Sequence, residues 1–185
     1  MITTAQNAKM LRYSREEMLK EWKLRKGFTE GRKECEIVRD DGIDLDSLLL
    51  REIDGCYSRL LAEAPLDYLP VADITDDVEV AVAPDMVATI VVPEDCVRLV
   101  EVRFPSWQRS VEEIFPADSD MARRQQSPWL RGGSENPVCV ATHRGIRCYT
   151  VSDRDEKPSK LLAVSHPAAT IFLFAESAWQ QLLSY

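Results

Sequence analysis

The apolar residues of this 185-residue chain change their repeat once, near its middle, and that change limits the fold more than any single motif does. Over DLDSLLLREIDGCYSRLLAEAP, Leu45, Leu48, Leu49, Ile53, Cys56, Tyr57, Leu60 and Leu61 recur at spacings of three and four. Such spacing lays one apolar stripe along a helix. Asp44 or Asp46 can cap its start, and Pro65 ends it. Gly55 within it costs about 1 kcal/mol relative to alanine, which points to a close helix contact. After LDYLP the repeat becomes two. VEVAV (78–82), VATIVV (87–92) and CVRLVEVRF (96–104) are β-branched runs broken by Pro84-Asp85 and Pro93-Glu94, and they read as strands. In the last of them Arg98, Val100, Val102 and Phe104 alternate with Leu99, Glu101 and Arg103, as in a sheet covered on one side.

The flanking segments extend the pattern. SREEMLKEWKLRKGF opens with a capping box, Ser14 and Glu17, and predicts a short amphipathic helix ending near Gly27. TEGRKECEIVRDDGID then reads as a loop with a short strand, or as the tail of that helix. SWQRSVEEIF is a turn and a strand to Phe115, and DSDMARRQQ a short helix capped by Asp118. PVCVATH and IRCYTVS form a hairpin turning at Arg144-Gly145. LLAVS is a last strand. From Ala168 to Tyr185, Ile171, Phe172, Phe174, Ala175, Ala178, Trp179, Leu182 and Leu183 fall at helical spacing. The expected fold class is therefore α+β: a helical bundle, made of a long N-terminal/central helix and a C-terminal helix, packed with an antiparallel β-sheet or small β-sandwich. One domain spans 1–185, with 1–70 mainly helical, 71–165 mainly β with a short helix near 118–126, and 168–185 a helix.

Composition bears on environment. No apolar run approaches the roughly 20 residues that span a bilayer, and the first residues, MITTAQNAKMLRYSREE, lack the apolar core of a secretory signal. A soluble protein with no membrane association is expected. The five cysteines (Cys35, Cys56, Cys96, Cys139, Cys148) are widely spaced, without a CxxC pair, and read as reduced core thiols of a cytosolic protein. The net charge of -8 is segregated. Residues 1–39 carry ten basic and six acidic side chains, residues 40–120 five and twenty, and residues 121–185 eight and five. An acidic body with basic ends favours head-to-tail contact between copies and disfavours binding of nucleic acid phosphate.

Motifs for chemistry are sparse. A nucleophilic site needs a base, and His143 and His166 each sit where a turn or junction explains them. Glu112 and Glu113 would point to opposite faces of a strand. Asp73, Asp76, Asp77 and Glu79 are an acidic cluster whose spacing misses the EF-hand loop. Arg131-Gly132-Gly133 could form a nest of amides, yet no lysine and no strand-to-helix context follow as in a phosphate loop. Arg123, Arg124 and Arg131 with Trp129 form a basic, aromatic stretch. No catalytic residue, cofactor or metal is expected.

The order SRLLAEAPLDYLP, VPEDCVRLVEVRFPSWQRSVEEI, DSDMARRQQSPWLRGGSENPVCVATHRGIRCYTV resembles the head-to-tail adaptor, or connector-ring and tail-tubular, proteins of tailed bacteriophages and prophages. The shared pattern is a strand after a Pro-Glu turn that carries Arg-Leu and ends in a tryptophan turn, a short helix, an aromatic-Leu-Arg-Gly stretch, and a hairpin near a Pro-Val. It covers about residues 45–151. The resemblance implies a non-enzymatic virion structural protein, assembling as a ring, commonly of twelve subunits, between portal and tail. Its partners would be copies of itself and portal or tail proteins, with DNA only as passing cargo, and its location the virion or, during assembly, the host cytoplasm. The chain is shorter than the podoviral members and ends after one C-terminal helix. Trp107, Arg109, Arg123, Arg124, Trp129, Leu130 and Arg131 are the expected subunit contacts, because tryptophan and arginine dominate interface hot spots. The alternatives are a small cytosolic hydrolase-like or metal-dependent enzyme using His143, His166 or the Asp73 to Glu79 cluster, and a module that binds a host protein.

Overall fold

The computed structural model describes residues 9–28, 44–167 and 170–185. In chain order its elements are β1 (Met10–Ser14), α1 (Arg15–Arg25), α2 (Leu45–Glu63), β2 (Val71–Asp73), β3 (Glu79–Val82), β4 (Val87–Val91), β5 (Cys96–Arg103), β6 (Ile114–Phe115), α3 (Asp120–Gln125), β7 (Cys139–Thr142), β8 (Gly145–Tyr149), β9 (Lys160–Ser165), β10 (Ile171–Ala175) and α4 (Trp179–Ser184). They fall into two compact units, Met1–Pro70 with His166–Tyr185, and Val71–Ser165. The reading of 29–43 as loop, strand or helix tail lies outside the described residues. No helix among the described residues is long and apolar enough to cross a membrane.

In the first unit both helix starts follow their sequence signals. Ser14 accepts from the Glu17 amide while the Glu17 carboxylate accepts from the Ser14 amide, completing the capping box of α1. Asp44 caps α2 by accepting from the amides of Asp46 and Ser47. The apolar stripe of α2 is buried at Leu49, Ile53, Cys56, Tyr57, Leu60 and Leu61. Met18 and Trp22 of α1 are fully buried, and ion pairs Lys23–Asp46, Lys26–Glu52 and Arg15–Asp54 join the two helices.

The expected helical bundle is not there. The α+β class holds, but residues 168–185 are not one helix: β10 occupies Ile171–Ala175 and pairs antiparallel with β1, and only the six residues of α4 continue as α-helix. The cause is tertiary. IFLFA is a short continuous apolar run that serves either state, and the edge offered by β1, whose backbone needs partners, decides for strand. Phe172 and Phe174 point inward, meeting Tyr57 edge-on at 5.1 Å and tilted at 6.3 Å. Tyr57 also finishes the strand pairing. Its hydroxyl donates to the Leu173 carbonyl at 3.0 Å and accepts from the Leu173 amide at 3.1 Å, so one phenol satisfies both backbone groups that β1 leaves free.

The second unit is built from two sheets, β2-β9-β5 and β3-β4-β8-β7-β6. One apolar cluster draws on both, with Ile90, Cys139, Ile146 and Cys148 from the larger sheet and Val102, Leu161 and Ala163 from the smaller. All pairs are antiparallel except β6 with β7. The alternation expected along β5 is broken by register shifts between Cys96 and Arg98 and between Leu99 and Glu101. An extra residue re-aims those that follow. Glu101, placed on a charged outer face by simple alternation, is buried and receives Lys160 Nζ at 2.7 Å. In the loop before β9, the Glu156 carboxylate takes the Ser106 amide at 2.7 Å, the Ser106 hydroxyl at 3.0 Å and the Ser152 amide at 2.9 Å.

Two pH limits follow. Burial pushes the Tyr57 hydroxyl up to about 12 from 10, against the smaller opposing effect of its Leu173 bond. A raised folded value gives stability that is complete below pH 10 and is lost as the pH rises toward 12. Tyr57→Phe should cost about 1–3 kcal/mol, by stranding the Leu173 groups, and should abolish that alkaline loss in urea titrations. At the other end, burial raises Glu101 and Glu156, but their hydrogen bonds, from Lys160 and Ser110 and from Ser106, Ser152 and Asp153, outweigh it and leave both below the ordinary 4.5. Depressed carboxylates stabilise fully above 4.5, and the contribution disappears as pH falls through the folded values. Glu101→Gln should flatten the acid limb of the urea midpoint against pH.

Candidate functional site

The loop SPWLRGGSENP, residues 127–137, presents its most apolar residues to solvent and turns its arginine inward. A turn forms first: the Leu130 amide donates to the Ser127 carbonyl at 3.0 Å, with Pro128 in the second position that its fixed φ favours. This sets Trp129 and Leu130 on the crest, 94% and 62% exposed. Arg131 follows and folds under them. Its Nε donates to the Gln125 carbonyl at 2.9 Å, Nη1 to the Asp85 carbonyl at 3.0 Å and Nη2 to the Asp85 carboxylate at 2.9 Å. The guanidinium also lies 5.7 Å from the ring centre of Tyr149. A rigid planar fork suits three fixed acceptors on two segments.

Gly132 locks the base. Its amide donates at 2.8 Å to Oε1 of Gln125, a side chain only 1% exposed, and its carbonyl accepts from the Thr150 hydroxyl. A Cβ here would strike the Asn136 carbonyl oxygen and come within 2.8 Å of the Val138 side chain, so the close approach requires glycine. On the far limb, the Gln108 amide donates to Ser134 at 2.9 Å and the Asn136 amide to Gly133 at 3.0 Å. Thr150 itself has φ 66°, a left-handed conformation that is costly for a β-branched residue. Trp107 Nε1 donates to its carbonyl at 3.0 Å, and the next amide, Val151, donates to Met86 at 3.1 Å. Met86, φ 61°, occupies the turn between β3 and β4 beside Asp85.

The residues singled out from sequence therefore separate. Trp129 and Leu130 are a free apolar crest. Arg123 and Arg124 are exposed on α3, the helix that Gln125 ties to the loop, and Arg123 pairs with Asp120 at 2.9 Å. Arg109 is exposed after the tryptophan turn. Trp107 is not a surface residue: it is 2% exposed and packs on Phe104 at 4.9 Å, because its ring fills the core and its N–H serves Thr150. Arg131 is committed to its own chain rather than offered to a partner. Gln125, Asp85 and Thr150, which build the base, carry no motif. The Pro84-Asp85 turn was the one signal for any of them.

The residues considered for chemistry lie elsewhere. His143 is exposed in the β7–β8 turn. His166 meets Tyr57 edge-on at 6.1 Å and, with Asp54, Ser58 and Phe172 among others, borders a cavity of about 120 Å³ in the first unit, where Asp54 is held by Arg15 at 2.8 Å. Asp73 accepts from the Thr75 amide and hydroxyl, and Thr75 in turn accepts from the Leu161 amide at 2.8 Å, so the carboxylate organises a turn. Among the described residues no group of three or more His, Cys, Asp or Glu is placed to hold a metal ion. No protein-family model, curated protein or solved structure matches the chain.

Replacing Gln125 by alanine strands the Gly132 amide in a buried place, and should lower unfolding stability by about 1–3 kcal/mol. Gly132→Ala should cost more, since backbone rather than a side-chain tip must move. Urea denaturation of the two variants checks the order.

Proposed function

We propose that this chain is a non-enzymatic structural subunit of a tailed-phage or prophage particle, a head-to-tail connector that joins copies of itself into a ring through the Trp129-Leu130 crest. The carrying observation is a tryptophan 94% exposed on a loop whose base is fixed by Arg131, Gln125 and Thr150. Exposure of so large an apolar side chain costs solubility and is explained by burial against a partner. A base already held in place spares the entropy that ordering a mobile loop would cost on binding, so more of the contact energy becomes affinity. Arg123 and Arg124 border the crest, and residues 40–120, with twenty acidic and five basic side chains, offer the opposite charge on the next copy. Unlike surfaces meeting in this way generate rings where the rotation closes. Portal or tail proteins would take the free faces of such a ring.

Native mass spectrometry and light scattering over a range of concentration test this. The wild-type chain should associate, less strongly as salt is added. The double substitution Trp129→Ala, Leu130→Ala should weaken association by about 2 kcal/mol or more, roughly 30-fold, and leave the thermal midpoint in place. A wild-type protein monomeric at every concentration, alone and with a portal protein, would sink the reading.

A further inference from the structure

Cys139 and Cys148 face each other across β7 and β8, in direct register, with their sulfurs 3.3 Å apart. Both are free thiols and both are fully buried. The Tyr149 amide donates to the Val138 carbonyl at 3.0 Å, so the hydrogen bonds flank this pair rather than join it. Opposed residues of that kind have the shorter Cα separation of an antiparallel ladder, about 4.5 Å, with side chains closer than in the hydrogen-bonded pairs. Disulfides tolerate Cα separations of about 4.4–6.8 Å, a range that includes pairs of this kind.

We infer that Cys139 and Cys148 are an oxidative modification site, closing as a cross-strand disulfide when a small disulfide such as oxidised glutathione reaches them. One thiolate attacks a sulfur of the reagent and releases one glutathione thiolate. The second cysteine thiolate attacks the mixed disulfide so formed, makes the Cys139–Cys148 bond and releases the second glutathione. The protein loses two electrons and two protons, and the reagent gains both. Burial sets the rate. A thiol must ionise and be reached before it reacts, and burial pushes the Cys148 thiol well above its usual value. The pair therefore reacts through transient opening of the β7–β8 hairpin. What the bond would fasten is relevant to the crest. The same hairpin supplies Tyr149, under Arg131, and leads into Thr150, which holds Gly132.

The experiment treats the whole chain with oxidised glutathione in urea concentrations below the unfolding transition, blocks remaining thiols with iodoacetamide, and maps peptides by mass spectrometry without reduction. A peptide pair joined through Cys139 and Cys148 should appear, faster as urea rises, and should vanish with dithiothreitol. The oxidised protein should unfold at higher urea than the reduced one. Cys148→Ala should leave Cys139 carrying a glutathione adduct under the same conditions. Cys139 and Cys148 recovered separately, as adducts or alkylated thiols, with no joined peptide at any urea concentration, would overturn the assignment. Peptide mapping of the wild-type chain decides this even where the substituted chain fails to fold.

Discussion

Thr150 is the residue on which the loop at 127–137 and its neighbouring turns depend. Three connections that belong to different stretches of chain converge on it and its successor: the Trp107 indole on its carbonyl, its hydroxyl on Gly132, and the Val151 amide on the turn at Met86. None of the three would be in reach if the backbone continued as strand beyond Tyr149. The left-handed φ of 66° is the bend that makes them possible, and its cost is met by bonds that exist only in this conformation. The bend at Thr150 thus ties together the indole of the buried Trp107, the base of the loop at Gly132 and the turn at Met86.

This explains which parts of the fold were legible in the sequence. Where a local rule governs, the reading was close: the Ser14 capping box, the Asp44 cap, the stripe of α2, and the runs that became β3, β4, β5, β7, β8 and β9. Helix caps and periodicity involve residues three or four apart and leave a mark within a short window. The misreading of residues 168–185 has the opposite origin. The apolar set from Ile171 to Leu183 fits a helical spacing, while Phe172 and Phe174 within it fit a strand alternation, and the deciding partner, β1, lies some 160 positions earlier. Neither β1 nor the three-residue β2 has enough apolar alternation to announce itself, since both exist by pairing.

The site shows the same division. Tryptophan and arginine near two glycines mark the loop as a candidate, yet residue type does not reveal direction. Trp107 and Trp129 are the same side chain in similar turns, one inside the core and one in solvent. The difference lies in what waits on the inner side: Phe104 and the Thr150 carbonyl for the first, nothing that a Ser-Pro turn can reach for the second. Arg131 likewise has the chemistry of a binding residue and spends it on Asp85 and Gln125. Glu101 is a third case, hidden because shifts of register in β5 cannot be counted from alternation.

The Tyr57 hydroxyl has a consequence beyond the stability of the first unit. A two-stranded sheet has two open edges, and a free edge is a template on which any extended segment of another chain can lay itself down by backbone pairing alone. At Leu173, the middle of β10, the phenol occupies the donor and the acceptor together. A passing strand would find that position already answered, on both sides of its ladder. An aromatic side chain from α2 thus closes the outer edge of β10 at this position to backbone pairing by another chain.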